Sequence, residues 1–232
     1  MSANETMKID LHCHTEASYD CITPFIDIPA RCVQKGIQVQ AITDHNEIWA
    51  AKALKSLVES DPEIDLTVIV GEEISTTEGE IIGLFLQEVV PPGLSPDETV
   101  RLIKEQNGLA LLPHGFDPLK VHRLRPEARD RLASDFDIVE TFNARVSRPI
   151  WNETAEKWAQ ENQKLMSAGS DAHRLKDIGD AWAEASERPI LNPADLLDAL
   201  LTANPPQGIW THPVWAFAKK TWEQLGARWE QR

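Results

Sequence analysis

The chain has 232 residues, 42% of them hydrophobic, and a net charge of −14. That length suits one α/β barrel, and that apolar fraction can bury a core. The acidic balance argues against a broad basic surface for tracking long nucleic acid; a small phosphorylated substrate stays open, because metal-binding carboxylates count as negative in the sum. No apolar run is long enough to read as a transmembrane helix. The first residues lack the basic and apolar segments of a secretion signal. Three cysteines, Cys13, Cys21 and Cys32, do not suggest a disulfide framework, so a cytoplasmic protein is expected.

Taken in chain order, strands and helices alternate. Residues 7–14 predict a first strand ending in His12-Cys13-His14. Side chains alternate along a strand, so both histidines face one way and Cys13 the other. Two imidazoles side by side are half of a metal site. A helix is expected over 28–35 with Gly36 as its stop, then a strand over 37–43 and a helix over 48–59. Two β-rich runs follow, 65–70 and 80–86. Ser95 as N-cap, Pro96 at the first turn and Glu98 three residues on predict a helix ending near 106. Further strands are expected at 109–112, 137–141 and 164–168, with helices over 126–133 and 149–162. Asn192-Pro193-Ala194-Asp195 opens another helix. The tail over 214–231 reads as helical, with Trp215, Trp222 and Trp229 on one face as a core or oligomer contact. No repeat or linker divides the chain.

Repeated βα units imply a parallel sheet or barrel, whose reactive residues gather at the C-terminal strand ends. His12 and His14, Asp44 and His45, Glu73, His114, and Asp171 with His173 all fall there. The segments Asp10-Leu-His12-Cys-His14-Thr15, Ser18-Tyr-Asp20, Thr43-Asp44-His45, Gly71-Glu72-Glu73-Ile74-Ser75, Leu112-Pro113-His114 and Gly169-Ser170-Asp171-Ala172-His173 resemble, in order, those of the PHP superfamily, named for polymerase and histidinol phosphatase. The resemblance covers about residues 7–175. It implies one PHP domain, a distorted barrel of about seven strands, with a helical segment over about 192–232. It also implies two or three divalent ions (zinc, manganese or iron) and hydrolysis of a small phosphomonoester such as a nucleotide, sugar phosphate or histidinol phosphate.

Carried over residue by residue, the resemblance assigns His12, His14, Glu73 and Asp171 to a first ion. Glu73 would bridge to a second ion held also by His114, and Asp20, His45 and His173 would hold a third. Hydroxide between the first two ions would attack phosphorus, with turnover depending on Glu73 and Asp171; His173 or a coordinated water would supply the proton. The chain departs from the pattern at Glu80, where some relatives carry histidine; it is either an oxygen ligand or a solvated loop carboxylate. After the 137–141 strand, Asn143 is preferred over Glu140 as a further ligand, though a structural hydrogen bond suits it better. Asp44 and Glu72 read as supporting or solvated groups, and His122 and His212 as surface or packing residues. Arg145, Arg148, Lys120 and Arg123 are candidates for a substrate phosphate, each equally readable as a surface charge. The rival readings are a metal-dependent amidohydrolase, a phosphodiesterase or exonuclease on short nucleic acid, and a non-catalytic metal-binding domain.

Overall fold

The structure is a computed structural model, and it describes residues 6–211. His212 and the tryptophan-bearing tail lie outside them. Among the described residues nine strands form one sheet in the order β7-β6-β5-β4-β3-β2-β1-β8-β9. They are β1 (Thr6–Asp10), β2 (Val39–Ile42), β3 (Thr67–Thr76), β4 (Gly79–Leu84), β5 (Leu109–Leu112), β6 (Ile138–Asn143), β7 (Leu165–Gly169), β8 (Ala181–Ser186) and β9 (Asn204–Gly208). Helices α1 (Ile28–Lys35), α2 (Trp49–Ser60), α3 (Pro96–Glu105), α4 (Pro126–Arg131), α5 (Ile150–Glu161) and α6 (Pro193–Leu201) connect or cover them. The sheet curls into a nearly closed barrel. Beyond β1, Leu11 N donates to Ala168 O of β7 at 3.0 Å, and Asp171 N donates to His12 O at 2.8 Å. Among the described residues no helix is long and apolar enough to cross a membrane.

Local chemistry explains the element ends. Gly36 closes α1 at φ 67°, a left-handed backbone that glycine adopts without strain. Ser95 Oγ accepts from Glu98 N at 3.2 Å and starts α3. At α6, Asn192 Oδ1 accepts from Ala194 N and Asp195 N, and Asp195 returns a bond to Asn192 N.

The barrel is not purely parallel. β4 runs antiparallel to both β3 and β5, because only the two residues Thr77 and Glu78 join β3 to β4 and no crossover fits. Glu73 is therefore inside a ten-residue strand rather than after one. β8 and β9 have no counterpart in the sequence reading. β8 alternates alanine inward, a weak β signal, and β9 carries Pro205 and Pro206, tolerated because it is the edge strand.

Alternation sorts the apolar residues into two clusters. Met7, Ile9, Leu11, Val39, Ala41, Ile69, Ile82, Leu84, Leu111 and Ile138 form the interior, which Leu196, Ala199 and Leu200 of α6 complete. Ile42, Val68, Val70, Ile81, Leu112 and Val139 face the outer helices. This parity brings Glu73 onto the face of Ile69, Glu80 onto that of Ile82, and Glu140 onto that of Ile138. The histidine pair obeys a different rule. The strand expected over 7–14 stops at Asp10, whose Oδ1 accepts from His12 N at 3.2 Å and from Ser170 N at 3.0 Å. Leu11 is interior while Cys13 packs with the outer cluster. The pleat is thus broken between them, and the break turns His12 and His14 inward.

Because α6 completes the interior cluster, its cap supports the barrel. Asn192→Ala should cost about 1 kcal/mol, a fall of about 2–4 °C in the thermal midpoint, measured by circular dichroism.

Candidate metal centre

The barrel mouth brings the eight main candidates together. His12 and His14 come from the loop after β1, His45 from that after β2 and Glu73 from β3. His114 follows β5, and Asp171 and His173 follow β7. Asp20 reaches in from the first loop, its Oδ2 lying 3.0 Å from His173 Nε2 and its Oδ1 3.8 Å from His45 Nε2. Two of these residues sit on left-handed backbone, His114 at φ 29° and Asp171 at φ 51°. Such strain costs on the order of 1–3 kcal/mol and persists where the surroundings over-determine it.

Hydrogen bonds fix the imidazole tautomers. His12 Nδ1 lies 2.9 Å from Glu140 Oε1. A carboxylate only accepts, so that nitrogen carries the proton and Nε2 keeps a lone pair. His14 Nδ1 lies 3.0 Å from Ser18 Oγ, and that hydroxyl gives its own proton to Asp44 Oδ1 at 2.8 Å. His14 Nδ1 is therefore also the donor. The two bare Nε2 atoms then face each other at 3.1 Å, in a fully buried position. A proton or a metal ion must therefore sit there: burial opposes a charge on His12, but Glu73, Glu140 and Asp171 raise its hold on a proton well above the usual range.

The surrounding distances fit a metal better than a proton. Glu73 Oε2 lies 3.4 Å from His12 Nε2 and 3.3 Å from His14 Nε2, and Asp171 Oδ1 lies 3.9 and 3.7 Å from the same atoms. Ligand atoms on a tetrahedral ion with bonds of about 2.0–2.1 Å stand roughly 3.3 Å apart. His45 Nδ1 is buried without a hydrogen bond, yet lies 3.4 Å from Glu73 Oε2 and 3.6 Å from Glu80 Oε1. His114 Nε2 lies 2.9 Å from Glu73 Oε1 and 3.9 Å from Glu80 Oε2. Four groupings hold their donor atoms within 4.8 Å: His12-His14-Asp171, His12-Glu73-His114, His14-His45-His173 and His45-Glu73-Glu80. Glu73 Oε1 faces His114 while Oε2 faces His12, His14 and His45, the disposition of a bridge.

Charge accumulates accordingly. Burial opposes ionisation of Glu73, but positive charge at His12 and a hydrogen bond from His114 hold its carboxyl well below the usual range. Burial likewise opposes a charge on Asp171, and Lys120, Arg145 and His12 overrule it downward. Burial and the negative charges of Glu73 and Asp171 push Glu80 up to about 10. Burial, with His14 beside it, pulls His173 down to about 4. An oxygen- and imidazole-rich set of this kind fits divalent zinc, manganese or iron.

The remaining candidates separate by position. Lys120 Nζ hydrogen-bonds Asp171 Oδ2, and Arg145 Nη1 contacts Asp171 Oδ1 at 3.2 Å and also His173 Nδ1. Arg148 is exposed. Arg123 has its carbonyl packed over Gly79. Neither bonds a candidate ligand among the described residues. Asn143 is the last residue of β6. Its Nδ2 donates to Glu140 at 3.0 Å and Asp171 at 3.3 Å, while its Oδ1 accepts from Arg145 N at 2.8 Å. Its donor group, not its oxygen, therefore faces the cluster. Asp44 is buried and binds Thr15 N at 2.6 Å and Ser18 Oγ at 2.8 Å. Glu72 turns to the other face of β3 and accepts from Val90 N at 2.9 Å. His122 is exposed.

The residue underrated from sequence is Glu140. It orients His12 through Oε1, and its Oε2 accepts from His114 N at 2.7 Å. Its position is enforced by Gly169, where a Cβ would lie 1.9 Å from Glu140 Oε1 and 2.5 Å from His12 Cβ. The signal was present: a carboxylate inside the apolar run Ile138-Val-Glu-Thr-Phe must have a partner. Glu140→Ala should weaken divalent-metal affinity about 10–100-fold, read by competition with a chromophoric chelator.

Known proteins resemble this chain. The family model for the PHP domain matches residues 10–169, and that for a PHP-associated region matches residues 149–205. The chain is 34% identical over 196 residues to an uncharacterized protein of Methanocaldococcus jannaschii, spanning 82% of this chain and 75% of that one. A second uncharacterized protein of that organism is 44% identical over 149 residues, 60% of this chain and 82% of the other. The fold is similar to that of a two-domain protein of Bacteroides vulgatus described as containing a predicted PHP-like metal-dependent phosphoesterase. That likeness has a TM-score of 0.69 at 18% identity and spans 87% of this chain but only 65% of that structure. The matched segment carries every residue of the cluster up to β7, and by that match the chain belongs to the PHP domain family.

Proposed function

We propose that this protein is a metal-dependent phosphoesterase that hydrolyses small phosphomonoesters. The observation that carries the reading is the pair of cations, Lys120 and Arg145, laid on Asp171 at the rim of a cluster whose other donors converge on one another. A site that only stored metal would gain nothing from two cations against a ligand. A site that receives a dianion would.

His12, His14, Glu73 and Asp171 would hold one ion. Glu73, His114 and Glu80 would hold a second, and Asp20, His45 and His173 a third. Bound divalent ions supply an acidified water and neutralise phosphate oxygens. The chain's own groups do the rest. Lys120 and Arg145 donate to the non-bridging oxygens, and Arg145 offers planar, paired donors. Glu140, Ser18 and Asp44 keep the imidazoles in their ligating tautomers. In the reaction the oxygen of water bonds to phosphorus, the ester P–O bond breaks, and the leaving oxygen takes a proton. His173 Nε2, next to Asp20, would pass one only when it holds no ion; otherwise a water supplies it. The net charge of −14 favours a compact substrate over long nucleic acid.

The test is phosphate release with manganese, zinc or iron(II) supplied, over nucleoside monophosphates, sugar phosphates, a diester, a short oligonucleotide and an amide. Monoesters should turn over, and Asp171→Asn should lose at least about a hundredfold in kcat. Turnover of the amide alone would overturn the reading in favour of an amidohydrolase. Lys120→Ala should raise KM about tenfold, the worth of one charge-assisted hydrogen bond, read from initial rates.

A further inference from the structure

The side chains around the mouth divide into two kinds. Lys120 points into the cluster, while its neighbours Leu119 and Val121 are 73% and 88% exposed. On another loop Tyr19 and Ile22 are 76% and 87% exposed. Single exposed apolar residues are ordinary, but Leu119 and Val121 adjoin Lys120 and Tyr19 adjoins Asp20, both residues of the site. Their loops are also pinned. Buried Asp44 ties down Thr15 and Ser18, the residue before Tyr19. Buried Asp117 bonds Leu119 N at 3.0 Å and Ser147 Oγ at 2.7 Å. The exposed tips are held in place rather than left to drift.

Tyr19, the chain's single tyrosine, has the most specific placement. Its ring stacks on His45 at a centroid distance of 5.0 Å and an interplanar angle of 24°. The His45 ring lies 4.6 Å from that of His14, and His14 lies 4.2 Å from His173. A row of rings thus leads from the buried cluster to solvent, and Tyr19 ends it. One face of Tyr19 is covered by His45, and the residue is otherwise open to solvent. A phosphate held at Asp171 by Lys120 and Arg145 would sit beside His173, whose ring lies 6.3 Å from that of His45 beneath Tyr19.

We propose that Tyr19 is a specificity-determining residue that seats a planar aromatic ring on the leaving group, so that the substrate class is a phosphate ester carrying a nucleobase-sized ring rather than a bare sugar or polyol phosphate. The inference rests on the phosphoesterase reading above. Stacking suits the role because every base has a π face, and it needs no basic surface on an acidic protein.

The test compares adenosine 5′-monophosphate with ribose 5-phosphate on the manganese-loaded protein. The wild type should favour the nucleotide through KM. Tyr19→Ala should raise KM for the nucleotide about tenfold more than for ribose 5-phosphate, the size of one lost stacked face, with kcat little changed. Tyr19→Phe keeps the ring and should restore the preference. Adenosine, which has no phosphate, separates the two layers of the argument. By saturation-transfer NMR it should bind the wild type and Tyr19→Phe but not Tyr19→Ala, whether or not any ester is hydrolysed. If no ester turns over while adenosine binding still follows the Tyr19 series, the phosphoesterase reading fails and the ring seat stands. If esters turn over but both variants treat the two substrates alike, or adenosine gives no signal on the wild type, the proposal is overturned.

Discussion

Two imidazole Nε2 atoms, held facing each other 3.1 Å apart in a buried position, are the constraint on which the site depends. Neither ring can escape by changing tautomer. Glu140 holds the proton on His12 Nδ1, and the Ser18–Asp44 relay holds the proton on His14 Nδ1. A shared proton would relieve one pair of atoms. It would not serve Glu73 Oε2, Asp171 Oδ1, His45 Nδ1 and the Glu80 oxygens, which stand 3.3 to 3.9 Å from the facing donor atoms of His12, His14, Glu73, Glu80, His45 and His114. A multivalent cation meets all of these demands together.

The fold makes this affordable by separating the two requirements. Strand parity builds one apolar interior toward β8 and α6, and the same parity turns Glu73, Glu80 and Glu140 onto that face nearer the mouth. Stability can come from the first region while the second carries buried like charge, which an empty site would have to neutralise with protons. The structure shows this tension in the opposite displacements of Glu73 and Glu80. The first is held ionised by imidazoles; the second is pushed toward its neutral form by burial and by its acidic neighbours.

Much of this was legible in the chain. The strands 109–112 and 164–168, the caps at Ser95 and Asn192, and the ordered motifs around His12, His45, Glu73, His114 and Asp171 rest on local patterns. Local patterns survive folding. What was not legible depends on pairing between distant segments. The strand expected over 7–14 breaks because Asp10 takes the backbone donors of His12 and of Ser170, a residue 160 positions away. β3 and β4 form a hairpin, so β4 is antiparallel and Glu73 lies mid-strand. β8 and β9 are built from alanine and proline, which signal strands poorly. Asn143 makes hydrogen bonds, the role that suited it better, while Glu140, passed over beside it, orients His12. Position relative to a strand end is visible in sequence, whereas which oxygen meets which imidazole is decided by the β6–β7 register and by the missing side chain at Gly169.

The most direct test is anomalous scattering from crystals of the protein soaked in manganese or zinc, collected at the metal's absorption edge. The account predicts a strong peak bounded by His12 Nε2, His14 Nε2, Glu73 and Asp171, with at least one more on the far side of Glu73 toward His114. A saturated crystal with no peak there, and the two imidazoles still in contact, would contradict it.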